Sequence, residues 1–280
     1  MSRQLLNFEA LLAGGELLIL PGAFDALSAR IAVKAGSVAV YMTGFGVVGA
    51  TFGVPDIGLI GPEAMSERVR AIAGAIDPVP LVADGDNGHG GPDNVARLVR
   101  AYEQAGACAI QIEDQALPKR CGHMEGKEIV SRDEAVAKIH AACAARSSRG
   151  FKVVARTDAR AVEGLDEALL RAEAFLEAGA DILFIEAPRS EAELVKVGRM
   201  FAGTPLVANM VEDGKTPWVS PQTLFEMGYR IVLYPITALL ATAQRLERVY
   251  ASIVAGRAEE VSERMTFQNF VQTVGLNGTV

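Results

Sequence analysis

The stretch PDNVARLVRAYEQAGACAIQIE, residues 92–113, contains one complete unit of the fold. Residues 92–105 have helical periodicity, Gly106 follows them, and residues 109–113 form a short apolar run that ends in the acid Glu113. Glycine is favoured just past a helix because it adopts a left-handed backbone at the lowest cost. The stretch therefore predicts a helix, a tight turn and a buried strand.

The same unit recurs along the whole chain. The joint between helix and strand is repeated as KAG at residues 34–36, EAG at 177–179 and EMG at 226–228. Further helices are predicted at residues 132–145, 166–178 and 190–201. The eight predicted strands lie at residues 17–20, 38–43, 80–84, 109–113, 151–156, 182–186, 205–209 and 230–234.

Eight strand–helix units that follow one another without a linker predict a closed parallel (β/α)8 barrel of the TIM type. An open doubly wound sheet is the alternative, but no GxGxxG sequence opens a helix after the first strand, as its dinucleotide-binding form requires. We expect the barrel to occupy residues 1–255 and a helical extension to occupy residues 256–280. The extension keeps apolar residues at Met265, Phe267 and Phe270, so we expect it to pack on its own barrel or on a neighbouring subunit.

Composition excludes several classes of protein. Half of the 280 residues are hydrophobic and 22% are charged, which argues against a disordered chain. The net charge of −7 argues against a nucleic-acid surface, because phosphates require a basic face. No apolar run approaches the roughly 20 residues of a membrane span, and the three cysteines have no paired spacing. We therefore expect a cytoplasmic protein with reduced thiols.

Polar or charged residues end six of the otherwise apolar strands. The active site of a (β/α)8 barrel lies at the carboxyl ends of its strands, where side chains from different strands converge. One polar residue at a strand end is common in loops, but six together predict a site. The six are Thr43, Asp84, Glu113, Arg156, Glu186 and Asn209.

Four acids near these strand ends predict a site for a hard divalent cation. Residues two apart in an extended chain point the same way, so we expect Asp84 and Asp86 to face one cation. Glu113 from the next strand and Asp56 from a glycine-flanked loop complete the group. Their mutual repulsion has to be relieved by a metal or a proton. Oxygen ligands suit Mg²⁺, whereas zinc is disfavoured because the three histidines include no pair four residues apart.

The run KRCGH, residues 119–123, predicts a reactive cysteine. Cys121 follows two cations and precedes an imidazole by two residues, and nearby positive charge favours the thiolate. Gly122 and Gly126 indicate a mobile loop that carries the thiol over a site. The alternative is a surface turn with an incidental cysteine.

Two further features predict recognition of an anion. The glycines of TGFG, residues 43–46, free backbone N–H groups to face an anion, although a plain turn is the alternative. Arg156 and Arg120 are candidates for clamping a carboxylate through two hydrogen bonds. An acid-bound metal beside an arginine favours an anionic, oxygen-rich small molecule over a sugar or a peptide.

These motifs resemble the isocitrate lyase and phosphoenolpyruvate mutase superfamily, and within it the short lyases of the 2-methylisocitrate lyase and dimethylmalate lyase (petal death protein) groups. The matching stretches cover roughly residues 20 to 250 in order, and KRCGH is highly specific. They are YMTG at 41–44, GVPD at 53–56, DGDNG at 84–88, IEDQ at 112–115, KRCGH at 119–123, ARTDA at 155–159, FIEA at 184–187 and LYP at 233–235.

The resemblance implies a tetramer of barrels in which each last helix is exchanged with a neighbouring subunit. It implies Mg²⁺ or Mn²⁺ held directly by Asp84, with Asp56, Asp86 and Glu113 acting largely through water. A second group would bind the α-keto acid part of a small carboxylate substrate. Its members are Thr43, Gly44, Phe45, Arg120, Gly122, Arg156, Glu186 and Asn209.

The implied reaction is cleavage of a 2-hydroxy di- or tricarboxylate. Loss of the hydroxyl proton, which Tyr41 is a candidate to accept, breaks the C2–C3 bond and leaves an α-keto acid such as pyruvate. The other fragment leaves as a carbanion that needs a proton. Cys121 is the implied acid, and Lys119, Arg120 and His123 would set its pKa.

Two departures from the methylisocitrate lyase pattern bear on the substrate. TGFG stands where those enzymes have SGGG, and MEGK follows CGH where they have RPNK. The second change removes an arginine that would meet a third carboxylate, and Glu125 would repel that group. A 2-alkylmalate is therefore favoured as much as a tricarboxylate.

Other functions on the same scaffold remain open at this point. Oxaloacetate hydrolysis or decarboxylation is the main alternative, because the same metal site binds 2-keto dicarboxylates. A phosphonopyruvate mutase is disfavoured, since its relatives lack the cysteine-bearing loop. A non-catalytic carboxylate-binding barrel is the alternative from another class, and retention of Cys121 beside four acids argues against it.

Overall fold

A computed structural model describes residues 7–120, 122 and 125–275 of the chain. Its strands are Leu18–Ala23 (β1), Val40–Met42 (β2), Leu81–Asp84 (β3), Ala109–Glu113 (β4), Lys152–Thr157 (β5), Ile182–Ile185 (β6), Val207–Asn209 (β7) and Ile231–Tyr234 (β8). The helices are Phe8–Ala13 (α1), Ala26–Lys34 (α2), Gly44–Phe52 (α3), Pro62–Ile76 (α4), Pro92–Ala105 (α5), Arg132–Ala145 (α6), Ala159–Val162 (α7), Leu165–Glu177 (α8), Glu191–Met200 (α9), Pro221–Glu226 (α10), Thr237–Val254 (α11) and Phe267–Thr273 (α12).

The strands form one nearly closed parallel barrel. They pair in the order β6-β5-β4-β3-β2-β1-β8-β7, and a single parallel bridge between Leu183 and Leu206 joins the two ends. Every strand thus lies next to its neighbours in the sequence, whereas the order reverses in a doubly wound sheet. The predicted (β/α)8 barrel is confirmed, and the open sheet is excluded.

The first strand is longer than the sequence predicts. β1 continues three residues past Leu20, where Gly22 and Ala23 pair with Tyr41 and Met42 of β2. Gly22 is required at this position because a Cβ would clash with the backbone carbonyl of Pro235, just after β8. Close approach of β8 to β1 therefore selects glycine, and it brings Pro235 to the mouth of the barrel.

The core has two layers, as the alternation of side chains along parallel strands requires. Residues such as Leu20, Val82 and Ile231 fill the inside of the barrel, and Phe8 of α1 packs against them from the amino-terminal end. The alternate residues, such as Ile110, pack outward against the helices. The amino-terminal end is therefore plugged, and only the carboxyl ends of the strands remain for a site.

The last two helices leave apolar side chains exposed. None of the 18 residues of α11 is buried, and the side chain of Val254 is 87% exposed. α12 lies on the barrel of its own chain, where the Lys34 ammonium donates a hydrogen bond of 3.3 Å to Thr273 Oγ1. No helix in the described ranges is both long and apolar enough to cross a membrane.

Candidate active site

A cavity of about 230 Å³ opens at the carboxyl ends of the strands, and most of the predicted site residues line it. Pockets for drug-sized ligands measure about 300–1,000 Å³, so this one suits a small acid. The predicted residues that line it are Tyr41, Thr43, Phe45, Asp56, Asp84, Glu113, Lys119, Arg120, Gly122, Arg156, Glu186 and Asn209. Cys121 and His123 lie outside the described residues.

Asp84 is fixed in the cavity by neighbours on three elements. Its Oδ1 accepts hydrogen bonds of 3.1 Å from the backbone N–H of Asp86 and from Gln111 Nε2. Its Oδ2 accepts a bond of 3.2 Å from the N–H of Gly44. Asp86 has a left-handed φ of 51°, so the predicted extended geometry of the two acids is wrong. A tight turn at the end of β3 brings them together instead.

The TGFG segment begins a helix, so the plain-turn alternative is excluded. Thr43 caps the amino terminus of α3 by accepting a 3.2 Å hydrogen bond from the N–H of Gly46. The first N–H groups of a helix have no partner within the helix, and here Gly44 uses its own for Asp84. A Cβ at Gly44 would lie 2.8 Å from Asp84 Oδ2, so this contact requires glycine.

Lys119 lies between two of the predicted metal ligands. Its Nζ is 2.6 Å from Asp56 Oδ1 and 2.5 Å from Asp86 Oδ1, and all three side chains are buried. Burial alone would lower the pKa of Lys119, but Asp86, Glu113 and Asp56 raise it well above its ordinary value. The ammonium therefore stays charged and neutralises the acids.

Lys119 does not fully compensate the negative charge of the four acids Asp56, Asp84, Asp86 and Glu113. Burial, reinforced by Asp86, raises the pKa of Asp84 to about 6. Burial also raises the pKa of Glu113 well above its ordinary value although Arg156 lowers it, and Glu113 Oε1 accepts no hydrogen bond within the described part. A crowded set of carboxylate oxygens of this kind fits a hard cation.

The same set does not form a complete metal cage. Within residues 7–120, 122 and 125–275, no three Asp, Glu, His or Cys side chains are placed so that they alone hold a metal ion. Mg²⁺ rarely needs such a cage, because it keeps several waters and binds through one or two carboxylates plus its substrate. The residues present fit Mg²⁺ held in that way.

Arg156 enters the cavity from β5 and is held among acids. Its Nε and Nη2 donate hydrogen bonds of 2.9 and 3.2 Å to the two oxygens of Asp158. Its Nε is 3.4 Å from Glu113 Oε2 and its Nη2 is 3.9 Å from Glu186 Oε1. The guanidinium carbon lies 5.2 Å from the centre of the Phe184 ring. These contacts orient a buried cation at the cavity wall.

Tyr41 is placed as a hydrogen-bond partner more than as a base. Its hydroxyl donates a bond of 3.0 Å to Gln111 Oε1, which links it to Asp84. Burial, and then the charge of Asp84, raises the pKa of Tyr41 well above its ordinary value. The phenol therefore retains its proton near neutral pH.

The segment around KRCGH is fastened to the barrel at several described points. Gln115 bonds the backbone of Arg120 twice, accepting from its N–H and donating to its carbonyl, each at 2.9 Å. Lys127 donates to the carbonyl of Gly122 and to Asp158 Oδ1. A Cβ at Gly122 would clash with Glu186 and Arg156, so only glycine fits there.

Glu125 is a surface residue in the structure. Its side chain is 86% exposed and pairs with Lys215, and it is not among the residues that line the cavity. Repulsion of a third carboxylate by Glu125 stays a prediction, and any such effect has to act from this exposed position. Glu212, which the sequence analysis did not single out, lines the cavity instead, with Val211, Pro235 and Ile236.

Sequence reasoning also missed Gln111, Gln115, Lys127 and Asp158. Gln111 lies two residues before Glu113 on β4, and side chains two apart on a strand face the same side. The alternation along β4 was therefore a usable signal for Gln111. Lys127 and Asp158 act through a contact between distant segments, and Gln115 bonds Arg120 across an irregular loop. Helix or strand periodicity contains no signal for either kind of contact.

The chain has close relatives among proteins of known activity. Residues 8–254 match the family described as phosphoenolpyruvate phosphomutase. The chain is 42% identical to the 2,3-dimethylmalate lyase of Eubacterium barkeri over 96% of this chain and 93% of that protein. It is 44% identical to the 2-methylisocitrate lyase of Bacillus subtilis over 87% and 79%.

Solved structures show the same likeness. An oxaloacetate acetylhydrolase in complex with 3,3-difluorooxalacetate superimposes with a TM-score of 0.92 at 33% identity, over 97% of this chain and 93% of the other. A phosphonopyruvate hydrolase in complex with oxalate and Mg²⁺ superimposes with a TM-score of 0.85 at 31% identity, over 97% and 95%. The chain belongs to the phosphoenolpyruvate mutase and isocitrate lyase superfamily, and the predicted resemblance is confirmed.

Proposed function

We propose that this protein is a Mg²⁺-dependent lyase that cleaves the C2–C3 bond of a 2-alkylmalate, with Cys121 as the general acid. The observation that carries the proposal is that Asp56, Asp84 and Glu113 line one small cavity with Arg156 and an apolar wall, while Asp86 contacts Lys119 beside them. The class of carbon–carbon lyase is confirmed by the relatives, which are lyases of this kind at 38–44% identity over most of the chain.

Asp84 is the residue we assign to direct contact with Mg²⁺, with Asp56, Asp86 and Glu113 around it. The raised pKa values and the unpartnered Glu113 oxygen support a cation here, and a related structure contains Mg²⁺. When bound, Mg²⁺ would draw the hydroxyl and carboxylate oxygens of a 2-hydroxy acid together and lower the pKa of the hydroxyl.

The other residues would bind the substrate and deliver a proton. Arg156 supplies a fixed guanidinium for the carboxylate that remains on the keto acid. Asn209 lines the same cavity, and its Nδ2 donates hydrogen bonds of 3.4 and 3.3 Å to the two oxygens of Glu186. The hydroxyl proton of the substrate passes to one of the carboxylates that line the cavity, and the C2–C3 bond breaks. The electron pair of that bond stays on the leaving fragment, where it takes a proton from Cys121. Tyr41 keeps its own proton and donates a hydrogen bond within the cavity.

The cavity favours an alkyl group over a third carboxylate. Phe45, Val211, Pro235 and Ile236 form an apolar part of its wall, and Glu212 adds one negative charge beside them. An alkyl substituent gains free energy by leaving water at this wall, at about 25 cal/mol per Å² of apolar surface buried. A carboxylate placed there would lose its hydration and meet Glu212. A 2-alkylmalate of the 2,3-dimethylmalate type fits better than 2-methylisocitrate.

Oxaloacetate cleavage is the second candidate. The observation in its favour is the superposition on oxaloacetate acetylhydrolase at a TM-score of 0.92. That reaction needs water at C2 and no alkyl pocket, so the apolar wall favours the lyase. The products distinguish the two, because the hydrolase releases oxalate and acetate whereas the lyase releases a larger keto acid.

The proposal includes a homotetramer in the cytoplasm. The exposed apolar residues of α11 form a surface that another subunit would cover, among them Leu240, Leu246, Tyr250 and Ile253. Contiguous apolar surface of this kind on a protein exterior marks a contact with a partner. The unpaired cysteines favour a reducing compartment.

One experiment tests the function directly. The purified protein is offered 2,3-dimethylmalate, 2-methylmalate, 2-methylisocitrate, isocitrate and oxaloacetate with Mg²⁺, and keto acid and oxalate are quantified. We expect pyruvate from 2,3-dimethylmalate at the highest kcat/KM, and none after removal of divalent metal with a chelator until Mg²⁺ or Mn²⁺ is added back. Oxalate from oxaloacetate at a higher kcat/KM would favour the hydrolase, and full activity in excess chelator would contradict the metal site.

A further inference from the structure

Asp158 is a fully buried carboxylate that binds two cations at once. Its oxygens accept both hydrogen bonds from Arg156, and Oδ1 also accepts one of 2.8 Å from Lys127 Nζ. Burial alone would raise the pKa of Asp158, but Arg156 and Lys127 hold it well below its ordinary value. The carboxylate therefore stays ionised and keeps both cations in place.

The backbone at Asp158 is itself anchored to the neighbouring strand. Its N–H donates a bond of 2.8 Å to Asp114 Oδ1, next to the end of β4. Asp114 Oδ2 accepts further bonds from Thr157 Oγ1 at 2.7 Å and from Arg171 at 3.2 Å. Asp158 is thus held in place at the end of β5 through Asp114, which follows β4 and is itself bonded by Arg171 of α8.

Lys127 connects Asp158 to Gly122. Its Nζ bonds Asp158 Oδ1 and the carbonyl of Gly122, and its side chain is 2% exposed. Gly122 in turn packs against Glu186 and Arg156 so closely that no side chain fits. One carboxylate therefore fixes both the arginine of the cavity and the peptide that touches it.

From this arrangement we propose that Asp158 is a positioning residue for the reaction proposed above, on which the inference rests. A planar guanidinium held through two N–H groups by one carboxylate cannot rotate about its axis, so its remaining donors keep one direction. Through Lys127 the same carboxylate sets the position of Gly122, the residue that follows Cys121. Asp158 thereby aligns the substrate-binding arginine with the segment of the proposed acid.

A double-mutant cycle tests whether Asp158 acts through Arg156. The four proteins are wild type, Asp158→Asn, Arg156→Lys and the double variant, and the measurement is the Kd of oxalate with Mg²⁺ by titration calorimetry. Supporting residues of this kind typically contribute ~10–100-fold in affinity, so we expect Asp158→Asn to weaken oxalate binding by that factor. In the Arg156→Lys background we expect Asp158→Asn to weaken oxalate binding by less than about 3-fold, because both substitutions disrupt the same Asp158–Arg156 contact. The same factor in both backgrounds would overturn the proposal.

Lys127→Met tests the link from Asp158 through Lys127 to Gly122, and Lys152→Met is its matched control. Lys152 is also a buried lysine that bonds a carboxylate and a backbone carbonyl, Glu9 and Arg149 at 2.7 Å each, but at the opposite end of β5. Misplacement by about 1 Å can cost ~10²-fold in rate, so we expect a kcat loss of that order in Lys127→Met with KM nearly unchanged. We expect Lys127→Arg to restore most of kcat and Lys152→Met to leave it unchanged. Equal kcat in Lys127→Met and Lys152→Met would contradict the proposed link from Asp158 through Lys127 to Gly122.

The readouts separate this inference from the proposed function. If no compound of the substrate panel is cleaved, the proposed lyase fails, while the oxalate cycle still tests the link between Asp158 and Arg156. If Asp158→Asn does not fold by circular dichroism, Lys127→Met and Lys127→Arg carry the test, because they leave the Asp158–Arg156 pair intact. In that case an unchanged kcat in Lys127→Met overturns the proposal.

Discussion

The ammonium nitrogen of Lys119 lies 2.5 Å from Oδ1 of Asp86, inside a site that we propose for a divalent cation. A second oxygen, Oδ1 of Asp56, is 2.6 Å from the same nitrogen. The lysine therefore compensates two acids that would otherwise be buried without a counter-charge. Its role in the protein without metal is to stabilise the site, whatever it does during the reaction.

We expect Lys119→Met to destabilise the metal-free protein more than the metal-loaded one. Leaving a buried charge uncompensated typically costs about 3–5 kcal/mol of the free energy of unfolding. Mg²⁺ stabilises only the folded state, so it should recover more free energy in the variant than in wild type. Urea denaturation with and without Mg²⁺ measures this difference. Lys152→Met is the control, since its acid partner Glu9 lies far from the site, and equal stabilisation by Mg²⁺ in all three proteins would contradict the expectation.

Gly122→Ala should abolish most of the activity while the fold persists. The added Cβ would meet Glu186 and Arg156 in the cavity, so the segment has to move away from both. A shift of about 1 Å at such a position costs ~10²-fold, and we expect kcat/KM to fall by at least that factor.

The matched control for this change is Gly74→Ala in α4, where a Cβ meets nothing within 4 Å. That substitution should leave kcat/KM unchanged and raise the free energy of unfolding by about 0.5–1 kcal/mol, because glycine is unfavourable inside a helix. Wild-type kcat/KM in Gly122→Ala would show that the segment is not held against Arg156 during turnover.

The fold could be predicted from the sequence because the patterns that indicate its helices and strands are local. The KAG and EAG joints mark where helices end, and each short apolar run marks a buried strand of the barrel. The convergence of Asp84, Glu113 and Arg156 followed from the fold alone, because parallel strands bring their carboxyl ends to one mouth. Twelve of the predicted site residues consequently line the cavity.

The contacts that connect distant segments could not be predicted from the sequence. The sequence pattern gave no indication that the ammonium of Lys119 reaches Asp56 and Asp86. The sequence also gave no indication that Glu125 pairs with Lys215, which is 90 residues further along the chain. Such pairings depend on how a loop returns to the barrel, and periodicity carries no information about that path.

We expect the purified protein to be a tetramer that depends on α11. Light scattering should give about four times the 29.6 kDa of one chain, since an exposed apolar helix face needs a covering partner. Leu246→Glu should reduce the assembly to smaller species. Leu170→Glu on α8 is the control, because that side chain is exposed to the same degree, 46% against 45%. A monomer in wild type at micromolar concentration would contradict the proposal.

Alkylation should distinguish Cys121 from the other two cysteines. Burial raises the pKa of Cys143 to about 11 and raises that of Cys108 further from neutrality. Only the thiolate reacts, so both should resist iodoacetamide at pH 8, and Cys143 should become reactive only as the pH approaches 11. Peptide mass spectrometry should then find the label on Cys121 first, and oxalate with Mg²⁺ should slow its attachment. Equal labelling of Cys143 and Cys121 at pH 8 would refute the expected order.

Cys121→Ser should separate binding from proton delivery. A serine hydroxyl is close in size to the thiol but is a far weaker acid near neutral pH, so the variant should bind Mg²⁺ and oxalate with nearly wild-type affinity. General acid catalysis typically contributes ~10²–10⁴-fold, and we expect kcat on the best substrate to fall by that factor while KM changes little. Cys143→Ser is the control and should retain wild-type kcat, since that thiol lies on α6, away from the cavity. Wild-type kcat in Cys121→Ser would remove Cys121 as the acid of the proposed reaction.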